Sequence, residues 1–194
     1  MTPSADPLSS KVLLLAALND GPSRERVADW LDRWPSLDDE FGPGHAVGLE
    51  SSMFHAVVSG GDEGFRAAWV LALLSKGKIL RKAGSESLFM EALDRTEDPG
   101  IQRELIRGLL EMDLSPTALR ELFGWAAAVV YVEGAPTAHL HQGLLIMLRC
   151  LNELSPSDSD RLEMHEAASF LCRGSFSDAV KKKAALLRAR LSGS

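Results

Sequence analysis

The chain has 194 residues, 45% of them apolar, which is enough for a folded core and too many for a disordered chain. Acids outnumber bases 27 to 21, for a formal charge of −6, and this argues against a non-specific nucleic-acid binder with its basic stripe. No apolar run approaches the ~20 residues of a membrane-spanning helix, and the longest, residues 122–132, is interrupted by Gly124; the expectation is a cytoplasmic protein with no membrane partner.

Residues 1–8 hold proline and serine and are expected to be a flexible terminus, as are residues 192–194. Lys11 precedes the apolar stretch 12–18, which resembles a short signal segment. Asp6 and the absence of a small-x-small cleavage site turn the reading to a first amphipathic helix, capped by Ser9 or Ser10 and stopped at Asp20-Gly21-Pro22. Ser23 opens a second helix with Val27, Trp30, Leu31 and Trp34 on one face, ended by Pro35. An acidic loop, Asp38-Asp39-Glu40, with room for one helical turn, leads to Gly42-Pro43-Gly44. A helix from His45 to Ser59 follows, burying Val47, Met53, Phe54 and Val57, and Gly60-Gly61 breaks it.

Asp62 is expected to cap the next helix, with Phe65, Trp69 and Leu73 inward and a possible extension to Lys82. Ser85 starts a short helix carrying Leu88, Phe89, Ala92 and Leu93. Asp98-Pro99 is a cap followed by a proline at the first helical position, and Ile101, Leu105, Leu109 and Met112 fall at helical spacing behind it. Ser115-Pro116 begins a helix to about Glu133; its stretch 126–132 could alone be a buried strand, but continuity with Leu119, Leu122 and Phe123 favours helix. Thr137 is expected to cap an apolar helix with Leu140, Leu144, Met147 and Leu151. Ser157 or Ser159 begins one ending at Cys172 that buries Leu162, Ala167, Phe170 and Leu171, and Ser177 caps the last, with Val180, Ala184, Leu187 and Leu191. Cys150 and Cys172 both lie in apolar helical patterns, which reads as buried free thiols rather than a disulfide.

The second helix of each pair starts at Ser23, Asp62, Asp98, Thr137 and Ser177, at spacings of 39, 36, 39 and 40 residues. A recurrent two-helix unit of this length is the signature of an α-solenoid. The fold class expected is therefore all-α, an α-α superhelix of about five antiparallel helical pairs, over a single domain at residues 9–191.

Asp62-x-x-Phe65-Arg66-x-x-Trp69 and Asp98-x-x-Ile101-Gln102-x-x-Leu105 resemble the second helix of HEAT repeats, and Val180-Lys181-x-x-Ala184 matches the latter part of that pattern. Gln102 and His141 stand where the family has Arg or Lys, and Thr137 and Ser177 replace its Asp. The resemblance implies a HEAT/ARM-like fold and no activity, and more faintly it extends to small bacterial HEAT-like proteins of unassigned role.

Enzyme motifs fail. His165-Glu166-Ala167-Ala168-Ser169 is half of a zinc-protease motif, its second histidine replaced by serine. Gly42 to Gly48 misses dinucleotide spacing, no P-loop or nucleophile elbow occurs, and His139 and His141 point apart on a helix. No catalytic residue, metal or cofactor is expected. Four residues after the successive caps stand Arg66, Gln102, His141 and Lys181, and at the next position Arg103 and Gln142. Stacked helices would set these side by side as a polar, partly basic stripe on the face that solenoids use for binding. The expected function is a non-catalytic module that binds a protein or acidic peptide. The alternative is a nucleic-acid-binding protein or a HEAT-like DNA glycosylase, which would need a strongly basic channel.

Overall fold

The computed structural model describes residues 31–193. The first eight residues, the helix expected from Ser9 or Ser10, and the second expected helix as far as residue 30 lie outside them. Among the described residues the protein is all-α: nine α-helices and no strand. The chain divides into two compact units, Met1–Asp113 and Leu114–Ser194.

In the first unit, residues 31–33 end a helix, and Pro35 turns the chain through a 3-10 turn, Trp34–Ser36. The acidic loop is a short helix, α1 (Leu37–Phe41). Its acids act locally: Asp38 Oδ1 accepts from Ala46 N at 3.0 Å in the first turn of α2 (His45–Ser59), and Glu40 pairs with Arg33. Gly60 and Gly61 both take positive φ, +77° and +68°, and reverse the chain into α3 (Gly61–Lys76).

Gly60, not Asp62, is the cap residue of α3, and the helix begins a residue before Asp62. Gly64, Ala67, Ala68, Leu71 and Leu74 are buried, while Phe65, Trp69 and Leu73, expected inward, are half-buried. Nor does α3 run to Lys82. Lys78 N–H donates to Ser75 O and Ile79 N–H to Leu74 O, a Schellman closure in which Lys78 takes the left-handed φ of +54°.

The connection after α3 is tied down by Glu50 of α2. Its buried carboxylate accepts from Arg81 N at 2.7 Å and Lys82 N at 2.6 Å. Helix α4 (Ser85–Arg95) follows, then α5 (Pro99–Leu110). Asp98 caps α5 as its sequence demands, its Oδ1 accepting from Gly100 N at 2.7 Å and Ile101 N at 3.1 Å. Ile101, Leu105, Ile106 and Leu109 are fully buried where α5 packs on α3 and α4. Two glycines let the backbones close in. A methyl group on Gly64 would stand 2.9 Å from Ala56 O, and one on Gly108 2.4 Å from Phe89 Cε1.

The second unit holds α6 (Pro116–Val130), α7 (Thr137–Glu153), α8 (Asp158–Arg173) and α9 (Asp178–Ser192). Ser115 caps α6 and Ser177 caps α9, while Ser157 and Asp160 form a full capping box on α8. The residue before α7 is Pro136, and Thr137 makes no capping bond, against expectation. Leu140, Leu144, Met147, Leu171 and Leu187 are core. Leu162 and Phe170, expected inward on α8, are exposed instead: the core face of that helix is Met164, Ala167, Ala168 and Leu171.

Each unit follows one packing rule. Sequence neighbours pair, α2 with α3, α4 with α5, α6 with α7 and α8 with α9. First helices then meet first helices, α2 with α4 and α6 with α8. Second helices meet second helices, α3 with α5 and α7 with α9. Two layers of helices result in each unit, each layer burying the apolar face of the other. No described helix is long and apolar enough to cross a membrane.

Candidate functional site

The expected stripe residues lie on the second helices α3, α5, α7 and α9, but their surroundings differ. In the first unit, Arg66 on α3 is half-buried. Gln102 is a structural tie: its Nε2 donates to Thr96 O at 2.8 Å, holding the loop that leads into the Asp98 cap. Arg103 is exposed, with its guanidinium carbon 5.9 Å from the centre of the Phe65 ring and its Nε donating to Glu104 Oε1 at 3.1 Å.

Glu104 organises this edge, and the sequence reading passed over it. It is 3% exposed, and Arg107 Nη2 lies 2.8 Å from its Oε2, close enough for an ion pair but off the line of a hydrogen bond. The side chains of Arg103 and Arg107 stay 45% and 41% exposed. One buried carboxylate thus holds two guanidinium groups at the surface, that of Arg103 beside the aromatic face of Phe65. The Glu104 to Arg107 spacing of three was visible in the sequence as a helical ion pair; the burial of Glu104 was not.

In the second unit, Gln142 is buried and offers no surface. His141 and Lys181 are half-buried. Burial, and then the positive charge of Lys183 on α9, lower the His141 pKa below its ordinary value, so the ring is neutral at pH 7. Lysine supplies the positive charge at this edge, with Lys182 exposed beside it.

A second surface lies on α8. Phe170, Tyr131 and Val132 are 46%, 52% and 57% exposed; the Tyr131 ring stands 5.8 Å from Phe170, and Phe176 lies 5.6 Å from Phe170 on the other side. Beside Phe170 is an open cleft of about 450 Å³, lined by His165, Glu166, Ser169, Phe170, Arg173 and Gly174. Burial and the carboxylates of Glu166 and Glu163 raise the Tyr131 pKa. Ala167 and Leu171 lie inside as expected; the core residues not read from the sequence were Met164 and Ala168, and Phe170 is turned out.

Both cysteines are free; Cys150 is buried, its thiol donating to Leu119 O at 3.5 Å, and burial pushes its pKa up to about 12, far from a nucleophilic thiolate. No group of three or more His, Cys, Asp and Glu side chains suited to a metal ion occurs among the described residues. Comparison with protein-family models, with curated proteins and with solved structures found no match to this chain.

Proposed function

We propose that this protein is a non-catalytic interaction module, built from short HEAT-like stacks of helical pairs, that takes an acidic peptide or protein segment on the α3–α5 edge. The observation that carries the reading is the fixing of Arg103 and Arg107 by buried Glu104 beside Phe65. A guanidinium held in place by a buried carboxylate loses less freedom when it binds, and Arg forks pair with carboxylates in bidentate fashion. Arg66 stands on the adjoining helix α3, which packs against α5. The layered contacts within each unit and the 36–40-residue recurrence support the HEAT-like reading.

Fluorescence anisotropy with three labelled probes tests this: a Glu-rich peptide with one aromatic residue, a Lys-rich peptide of equal length, and a short DNA duplex. The acidic peptide is expected to bind, and more weakly as salt rises. Arg66→Glu with Arg103→Lys is expected to reduce that binding about tenfold, since it reverses one charge and removes one fork. Lysine is chosen at Arg103 because a carboxylate there would face buried Glu104. Equal binding by the variant, or a preference for the duplex, overturns the reading.

A further inference from the structure

The outer face of α8 carries a pattern that its core side does not use. Asp158, Leu162, Glu166 and Phe170 recur every four residues, so they form one line along the helix. All four are exposed, Leu162 at 60%. At the Phe170 end the apolar surface continues onto Tyr131 and Val132. A single exposed leucine is ordinary, but contiguous apolar side chains rimmed by charge mark an interaction face. The chain also contains a matching line. On α9, Lys182, Leu186 and Arg190 recur at the same step and are exposed, Leu186 at 43%.

We propose that the α8 line of one copy of this protein docks antiparallel against the α9 line of a second copy. With Leu186 set on Leu162 and the helices antiparallel, Lys182 meets Glu166 and Arg190 meets Asp158. With the helices parallel, Lys182 meets Asp158 and Arg190 meets Glu166. The acid-apolar-acid order on α8 thus fixes the axial register for either direction, and opposed helix dipoles favour the antiparallel one. A slide of one turn puts Leu186 against a carboxylate and a base against an apolar side chain, which breaks the match. The occupant follows from this complementarity: the surface asks for a helix reading base-apolar-base at four-residue steps, and α9 is such a helix.

The two faces differ, so the contact is heterologous. In a pair one copy keeps its α9 face unused and the other its α8 face, and association continues past two copies unless the rotation closes a ring. A single helix-on-helix contact is small, so association is weak and transient.

Sedimentation of the full chain from about 10 µM to about 1 mM spans the range in which so small a contact dissociates. The weight-average mass is expected to rise with concentration beyond that of a dimer, and to fall back at high salt. Glu166→Lys alone and Lys182→Glu alone each place like charges at the contact and are expected to weaken association about tenfold. An equimolar mixture of the two variants, or one chain carrying both changes, restores opposite charges and is expected to associate like the parent. Both positions are exposed, so thermal melts of the variants should match the parent. A parent that stays monomeric throughout the range overturns the proposal. So does association that survives both single variants, or a double variant that fails to recover it; in those cases the α8 face serves a different partner or none.

Discussion

Adding one methyl group at Gly108 and one at Gly124 should move stability in opposite directions, although both positions are inside helices. On helix propensity alone, Gly→Ala stabilises by roughly 0.5–1 kcal/mol at each. At Gly124, exposed on α6, the new carbon meets nothing within 4 Å, so this gain should be realised. At Gly108 the methyl would stand 2.4 Å from Phe89 Cε1, 3.0 Å from its Cζ and 3.3 Å from Ala72 Cα. Carbon atoms pack at about 3.5–4.0 Å, so the ring must retreat by roughly 1 Å. Phe89 is fully buried, and Phe54 meets it edge-on at 5.2 Å and 82°, which blocks an easy retreat. Overpacking of this kind costs about 1–3 kcal/mol, more than the propensity gain. Gly108→Ala should therefore lower the melting temperature, by about 2–4 °C per kcal/mol for a chain of this size, and Gly124→Ala should raise it. Far-UV circular dichroism during thermal and urea denaturation reads both. Adding Phe89→Leu to Gly108→Ala should recover part of the loss, with a coupling of at least about 0.5 kcal/mol. A Gly108→Ala protein as stable as the parent would refute the close packing of α5 on α4 and α3.

Glu50→Gln should destabilise by about 1–3 kcal/mol in urea melts, because one amide oxygen cannot accept from both Arg81 N and Lys82 N at the two carboxylate oxygens. Lys78→Gly should stabilise by about 1 kcal/mol in the same assay, since it relieves a left-handed residue with a side chain. A thiol reagent at about pH 8 should modify Cys172 in the native protein and Cys150 only after unfolding, given burial and the raised pKa of Cys150. His141 has a folded pKa below its unfolded value, so its contribution is present above the unfolded pKa and lost as pH falls through the folded one. His141→Gln should flatten the fall in stability between about pH 7 and pH 5, and an unchanged slope would mean that His141 is not buried against α9.

Helix positions were legible where a cap and a proline coincide. Asp98-Pro99 and Ser115-Pro116 start helices at those residues because the side-chain acceptor and the missing N–H both suit a first turn. Asp62 and Thr137 misled for the same chemical reason in reverse. An acid or hydroxyl also sits comfortably inside a first turn, and at α3 the positive φ of Gly60 and Gly61 had already set the start. On α3 the buried face is Ala67, Ala68 and Leu71, with Phe65 and Trp69 half-buried. A hydrophobicity pattern ranks large side chains as core, but close helix packing prefers small ones. Hence Ala167 and Ala168 lie inside on α8, and Leu162 and Phe170 outside. Of the six stripe residues, Gln102 bonds a loop carbonyl and Gln142 is buried. Residue type and register do not reveal that one amide closes a loop and that the other is covered.

The two surfaces also differ in how they can hold a partner. On the α3–α5 edge the attraction is ionic and solvated, with Arg103 and Arg107 both more than a third exposed. Each added pair there contributes well under about 1 kcal/mol, and salt screens it. Such an edge gains from several weak contacts made at once by a flexible acidic segment, and reversing one charge thins the binding. On α8 the apolar position Leu162 supplies a term that salt does not screen, roughly 25 cal/mol for each Å² covered, while Asp158 and Glu166 choose the register. Raising salt should therefore weaken binding at the arginine edge more steeply than association through α8. That difference in salt dependence, measured on one protein with the acidic peptide and by sedimentation, separates the two surfaces without any substitution.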